Sequence, residues 1–102
     1  MKEKMATQHY RQGDVLFIRV DVIPADATPA ATNIIVEGEA TGHAHRLQDG
    51  MILMTAAVMY LACETMAHVV HEEHHAIDLP PGPYRVQRQR EYSPEAIRMV
   101  VD

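Results

Sequence analysis

Two histidine clusters are the residues best suited to do chemistry. The chain has 102 residues and seven histidines, six of which lie between positions 43 and 75. The first cluster, "GHAHR", contains His43 and His45, and the second, "HEEHH", contains His71 and His74. Residues two apart on a β-strand point to the same side, so the first pair should share one face. A bend at a strand end would direct the second pair to one point. We therefore expect a single site built from both clusters.

The expected chemistry is metal binding. Three or four imidazoles with an optional carboxylate suit Zn²⁺, Mn²⁺, Fe²⁺ or Ni²⁺, and a site with three protein ligands leaves a position for water. Water on such an ion loses a proton near neutral pH and becomes a nucleophile. We therefore predict metal-assisted hydrolysis, with Glu72 as general base and His43 as a second catalytic residue. The predicted metal ligands are His43, His45, His71 and His74.

Two other interpretations of the second cluster stay open. The segment is also typical of a solvated polar loop that binds nothing. In addition, His71, Glu72 and His75 fit the helical H-E-x-x-H zinc signature, which needs a stable helix through both histidines. The sequence "IDLPPG" at residues 77–82 would end any helix soon after the cluster.

A basic segment, "YRVQRQREY" at residues 84–92, carries three arginines and two tyrosines. On a strand, alternate residues of this segment would share the face of Val86. Guanidinium groups recognise phosphate and carboxylate bidentately, so we expect an anionic small molecule or RNA to bind here. Pairing of these arginines with acidic residues across strands is the alternative. The expected substrate-binding residues are Arg46, Arg88, Arg90 and Tyr92.

The elements that must position these residues are mostly β-strands. Runs rich in β-branched residues, bounded by Gly, Pro and Asp, predict six to seven short strands in a small antiparallel barrel or sandwich. We expect one domain over residues 1–102, with residues 1–12 as a flexible polar terminus and a short helical turn at Ser93. A helix over residues 51–63 is an alternative to strands there, because Ala, Met and Leu favour helices. The predicted strands cover residues 14–21, 33–39, 43–48, 51–54 and 84–91, with two more between 55 and 70.

Composition narrows the class of protein. The chain is 47% hydrophobic and 23% charged, which is typical of a globular domain. A formal net charge of −5 argues against a general nucleic-acid coat protein. Cys63 is the only cysteine, so no intramolecular disulfide can form. Residues 51–70 match a membrane span in length, but Glu64 and His68 interrupt them, and we expect buried core instead. We expect a cytoplasmic protein without a membrane segment.

The segments "RQGDVLFI", "GEATGHAHR", "HEEHH" and "LPPGPYRVQRQREY" together resemble an uncharacterised family of small bacterial proteins and domains, over nearly the whole chain. The resemblance implies that these positions form the functional surface, and it implies no particular activity. "GEATGHAH" also resembles the opening of the cupin motif, in which two histidines bind metal. The glutamate and the later histidine of that motif have no counterparts in this sequence.

Three functions follow as hypotheses. The first is a His-rich metal-binding domain that acts as a metal-dependent hydrolase on a phosphate-bearing or nucleic-acid substrate. The second is a metal-independent nuclease, in which histidines transfer protons and arginine stabilises developing negative charge. The third is a non-catalytic module that binds a nucleotide, RNA or a protein. A homo-oligomer is compatible with each of the three.

Overall fold

The chain folds into ten β-strands. The computed structural model of the protein describes residues 8–38 and 42–89, and it places no α-helix in them. The strands are β1 (His9–Gln12), β2 (Val15–Arg19), β3 (Thr28–Pro29), β4 (Ile34–Glu37), β5 (Ala44–Gln48), β6 (Met51–Met54), β7 (Met59–Cys63), β8 (Ala67–Val70), β9 (Ile77–Leu79) and β10 (Gly82–Arg88).

The strands form two antiparallel sheets. The six-stranded sheet has the order β1-β2-β10-β7-β6-β3, and the four-stranded sheet has the order β4-β5-β8-β9. Neither sheet closes on itself, so the prediction of a mainly β fold is confirmed in its sandwich form. The predicted number of strands was too low. The three additional strands are β1, β3 and β9, which have two to four residues each and are too short for an alternating pattern to mark them.

The core lies between the sheets and draws on both of them. Phe17, Leu61 and Tyr84 come from the six-stranded sheet, and Val69 and Leu79 come from the four-stranded sheet. All five side chains are fully buried. Burying one aliphatic or aromatic side chain of this size contributes about 1.5–3 kcal/mol. The burial of these inward-facing side chains is therefore the main interaction that stabilises the packing of the two sheets.

Residues 51–70 form strands and not the alternative helix. They make up β6, β7 and β8, and β7 pairs with β6 on one side and β10 on the other. Leu61 and Cys63 are buried while Tyr60 and Ala62 are less so, which is the period of a strand. Burial of the alternate residues and pairing on both edges override the helix propensity of Ala and Met. In the described residues no helix is long and apolar enough to cross a membrane.

Two turns carry the chain from one sheet to the other. The Asp49–Gly50 turn connects β5 to β6, and residues 64–66 connect β7 to β8, so neither joins two paired strands. The sequence did not indicate these crossovers, because alternation marks a strand and does not say which sheet the strand enters.

The N-terminal segment also differs from the prediction. Residues 9–12, expected to belong to a flexible terminus, form β1 and pair with β2 from His9↔Ile18 to Gln12↔Val15. The helical turn predicted at Ser93 lies outside the described residues.

Candidate functional site

The pairing of β5 with β8 brings the two histidine clusters together. Arg46 lies opposite Val70, so the residues just before Arg46 meet the residues just after Val70. The loop of residues 71–76 then connects β8 to β9, and it is not helical, which removes the basis of the H-E-x-x-H interpretation. The second cluster is thus a bend after a strand, as the spacing indicated.

The four predicted ligands converge, with His71 in the middle. Its ring centroid lies 4.4 Å from that of His45, 4.7 Å from that of His74 and 5.8 Å from that of His43. Two imidazoles bound to one tetrahedral ion, with metal–nitrogen bonds of about 2.0–2.1 Å, have centroids about 5 Å apart. The rings border a cleft of about 470 Å³, whose other lining residues are Asp14, Val36, Glu37, Gly38, Glu73 and Arg88. The centroid spacing is compatible with a shared ion, and the described residues whose ligand atoms all lie within 4.8 Å of one another are His43, His71 and Glu72.

A hydrogen bond to Gln12 fixes the neutral His45 ring in one tautomer. Both side chains are buried, with 4% and 3% of their surface exposed. The Gln12 Nε2 donates to the carbonyl oxygens of Val69, at 2.9 Å, and His75, at 2.8 Å. Because carbonyls only accept, the amide oxygen must face His45, whose Nδ1–H donates to it at 2.7 Å. The Nε2 of His45 therefore keeps its lone pair, as a metal-binding imidazole requires.

The charge state of His45 agrees with this arrangement. Burial, and secondarily the neighbouring His71, lower the pKa of His45 from 6.5 to about 4. The ring is therefore neutral at neutral pH and does not repel a cation.

His71, in the same cleft, carries its ring proton on the other nitrogen from His45. The backbone N–H of Glu73 donates to its Nδ1 at 3.0 Å, so in the neutral ring the proton lies on Nε2. A metal bound to Nδ1 would replace this hydrogen bond, and one bound to Nε2 would take the place of that proton. His45 and His71 thus supply an acceptor and a donor to the cleft.

Glu72 does not fit the predicted role of general base. Its two oxygens accept hydrogen bonds from the Ala44 backbone N–H at 2.9 Å and from the Arg46 Nη1 at 2.8 Å. These bonds, the backbone one first, lower the pKa of Glu72 from 4.5 to about 2. A carboxylate with so low a pKa is a poor proton acceptor at neutral pH. Glu72 instead ties the loop to β5, although a carboxylate oxygen of Glu72 lies within 4.8 Å of nitrogens of His43 and His71.

Of the predicted anion-binding residues that the structure describes, one lines the cleft and the other does not. Arg46 is occupied by Glu72 and does not line the cleft, because it points to the opposite side of β5 from His45. Its role in substrate binding stays a prediction, and the ion pair keeps its guanidinium engaged with Glu72. Arg88 does line the cleft, where its Nη2 lies 3.4 Å from the Asp14 carboxylate. Arg90 and Tyr92 lie outside the described residues.

Sequence reasoning gave no specific role to Gln12, the last residue of β1, or to Gly13, in the turn between β1 and β2. Gly13 has a φ of 63°, and a Cβ on it would lie 2.9 Å from the His74 Nε2 and 3.4 Å from the His45 Cε1. A glycine there lets the turn approach the two rings closely. The signal in the sequence is the "QGD" between two strands, which marks a turn but not what the turn touches.

A family model covers residues 11–89, which include the turn, both histidine clusters and Arg88, and its description is a domain of unknown function, DUF8820. The chain belongs to this family. The resemblance to an uncharacterised family is therefore confirmed. Comparison with curated proteins and with solved structures finds no match. The family assignment carries no activity, so any function must be argued from the cleft.

The Glu72 anchor predicts a specific dependence of stability on acid. Because the folded-state pKa is below the usual value, Glu72 stabilises the fold above pH 4.5, and this contribution is lost as the pH falls towards about 2. Glu72→Gln should therefore flatten the fall in unfolding free energy over that range, measured by urea titration at each pH. Arg46→Gln should flatten the fall in unfolding free energy less, because the hydrogen bond from Ala44, which lowers the pKa of Glu72 most, remains. Equal slopes in wild type and Glu72→Gln would contradict the anchoring role.

Proposed function

We propose that this domain binds one divalent transition metal ion in the cleft, through imidazole nitrogens of His43, His45, His71 and His74. The observation that carries the proposal is the clustering of these rings around His71, at centroid distances of 4.4–5.8 Å between neighbouring rings, together with a neutral His45 whose Nδ1 is fixed by Gln12. The half-buried His43 and His71 and the exposed His74 line one cleft with the buried, hydrogen-bonded His45, an arrangement that favours a shared ligand. Imidazole-rich sites suit Zn²⁺, Ni²⁺, Fe²⁺ or Mn²⁺.

The chemistry that such an ion would support is hydrolysis. When fewer than four histidines bind, the ion has a position for water and lowers the pKa of that water. Of the carboxylates that line the cleft, Glu73 is the one whose oxygen lies 3.5 Å from the His43 Nδ1. In this proposal Glu73, and not Glu72, would accept the proton, because Glu72 is occupied by Arg46 and the Ala44 amide.

The metal proposal is tested by titrating untagged, chelator-treated protein with Zn²⁺, Ni²⁺ and Mn²⁺ by calorimetry. We expect about one ion per chain and a rise in melting temperature. His71→Ala, a change in the surface loop, should weaken binding by about 100-fold or more, since even outer partners of metal ligands contribute about 10–100-fold. The matched control is His68→Ala. His68 lies outside the cleft and is paired with Asp78 at 2.8 Å.

Two results would contradict the proposal. One is wild-type protein that binds much less than one ion and shows no thermal shift. The other is an equal loss of affinity in His68→Ala and His71→Ala, because that would indicate general histidine binding on the surface.

The second candidate function is proton transfer by histidines without a metal. It is favoured by the opposite polarities of the cleft nitrogens, a lone pair on the His45 Nε2 and a proton on the His71 Nε2. Incubation of labelled RNA with wild type and His43→Ala, with and without EDTA, separates the two functions. Cleavage that survives EDTA and is lost in the variant would favour this candidate, and cleavage abolished by EDTA would favour the metal.

A further inference from the structure

A second cavity adjoins the histidine cleft. It has a volume of about 580 Å³ and lies between β4 of one sheet and β7 and β10 of the other. It shares Val36, Glu37 and Arg88 with the lining of the histidine cleft. The two hollows are therefore neighbouring compartments of one groove, with Arg88 at their junction. Pockets of this size are typical of sites for small molecules.

The lining of the second cavity combines apolar side chains with the charged groups of Glu37, Arg85 and Arg88 and the amide of Gln87. Its apolar side chains include Ile35, Met54, Val58, Met59 and Val86. These residues come from both sheets and from the β6–β7 turn. Such a surface favours the hydrocarbon part of a ligand. The histidine cleft, by contrast, is lined almost entirely by polar groups. A ligand that fills both compartments must therefore be amphipathic.

Arg88 has hydrogen-bond capacity to spare; among the described arginines, Arg19 also makes only a long side-chain contact, 3.4 Å to Gln8, but it lines neither cavity. Arg11, Arg46 and Arg85 each donate to a side-chain oxygen at 2.8 Å. The only such contact of Arg88 within the described residues is the longer one, 3.4 Å, to Asp14, and its buried Nε has no partner there. This guanidinium group is partly exposed beside two cavities and has unsatisfied donors. It can therefore donate hydrogen bonds to an anion bound in the groove.

The charge around Arg88 favours an anion of single charge. Asp14, Glu37 and Glu73 line the histidine cleft beside it. The other arginine of the second cavity, Arg85, already bonds Gln87. Two guanidinium groups, Arg85 and Arg88, face three carboxylates here, so a monoanion is repelled less than a dianionic phosphate, and a carboxylate needs one bidentate partner.

We propose that the groove binds a small organic carboxylate, with its hydrocarbon body in the second cavity, its carboxylate on Arg88 and its adjacent carbon atoms facing the histidine cluster. The inference rests on the proposed metal site, because the bound ion would act on the end of the ligand that reaches the histidines. The ligand class thus differs from the phosphate-bearing or nucleic-acid substrate of the hydrolase hypothesis. The proposal assigns the second cavity a role that the histidines do not explain.

The test uses the full-length, metal-free protein with hexanoate as the probe. Binding of hexanoate is measured by NMR shift perturbation and calorimetry. Saturable binding that perturbs residues of both compartments is expected. Hexanol, which lacks the charge, and acetate, which lacks the body, should each bind about tenfold or more weakly. Hexyl phosphate and inorganic phosphate distinguish a carboxylate site from a phosphate site, and both should compete poorly.

Two variants examine the two ends of the ligand. Arg88→Met should weaken hexanoate binding about tenfold or more, while the matched control Arg11→Met, a cation of β1 paired with Gln89, should leave it unchanged. Ala57→Phe adds a ring at an exposed position of the second cavity, and it should block binding without disturbing the core. Thermal unfolding of each variant separates loss of binding from loss of fold.

The outcomes distinguish this inference from the proposed function. Zinc binding without hexanoate binding would overturn the inference alone. Hexanoate binding without metal binding would support the cavity site and overturn the proposed metal function. Equal binding of hexanol and hexanoate, an unchanged affinity in Arg88→Met, or displacement of hexanoate by inorganic phosphate would each overturn the inference.

Discussion

Gly13→Ala should displace His74 from the cleft and reduce zinc affinity about tenfold or more. The added Cβ would lie 2.9 Å from the His74 Nε2 and 3.3 Å from its Cε1. The His74 side chain is exposed, so the ring can rotate away more easily than the turn can move. The backbone cost is separate. A non-glycine residue at a φ of 63° is destabilised by about 1–2 kcal/mol.

Gly42→Ala is the matched control for Gly13→Ala. Gly42 also has a positive φ, of 82°, but a Cβ there would meet nothing within 4 Å. Both variants should therefore lose a similar free energy of unfolding, which corresponds to a melting temperature lower by about 4–8 °C per kcal/mol. Zinc titration should separate them, with a large loss only in Gly13→Ala. Equal zinc affinity in the two variants would show that the close approach of the turn has no role in the site.

Gln12→Met should cost about 2–4 kcal/mol of unfolding free energy, the largest effect on stability that we expect from a residue beside the cleft. Methionine keeps the volume of glutamine but can make none of its hydrogen bonds. It would leave the His45 Nδ1–H and the Val69 and His75 carbonyls without their partner. Each buried polar group left unsatisfied costs about 1–3 kcal/mol. Urea unfolding measures the loss.

The same substitution has a second readout that a purely structural role would not change. With Gln12 present, the proton of the neutral His45 ring lies on Nδ1, and nitrogen NMR of the ring should show a single tautomer. In Gln12→Met we expect a mixture of tautomers and zinc affinity lower by about 10–100-fold. Gln48→Ala, an exposed glutamine on β5, should change stability by less than about 0.5 kcal/mol. A single tautomer in Gln12→Met would contradict the positioning role.

The histidine pairs show how far local pattern leads. The placement of His43 and His45 on one face depends only on the strand period, and the bend at His71 follows from its position directly after the apolar strand run that ends at Val70. The convergence of the two pairs was predicted from the high local density of histidines. The role of Glu72 could not, because its partner Arg46 is 26 residues away and depends on the register of β5 against β8.

The sequence by itself determined the strand character of most of the chain and the presence of a histidine-rich site, because both follow from the identity and spacing of near neighbours. Only the tertiary structure decided which sheet β6 and β8 enter, and with that which groups surround the histidines. Gln12 reaches His45 across 33 residues, and Arg88 reaches Asp14 across 74. Such contacts exist only once the sheets have packed face to face, since a hydrogen bond requires a distance and an angle that residue order does not specify.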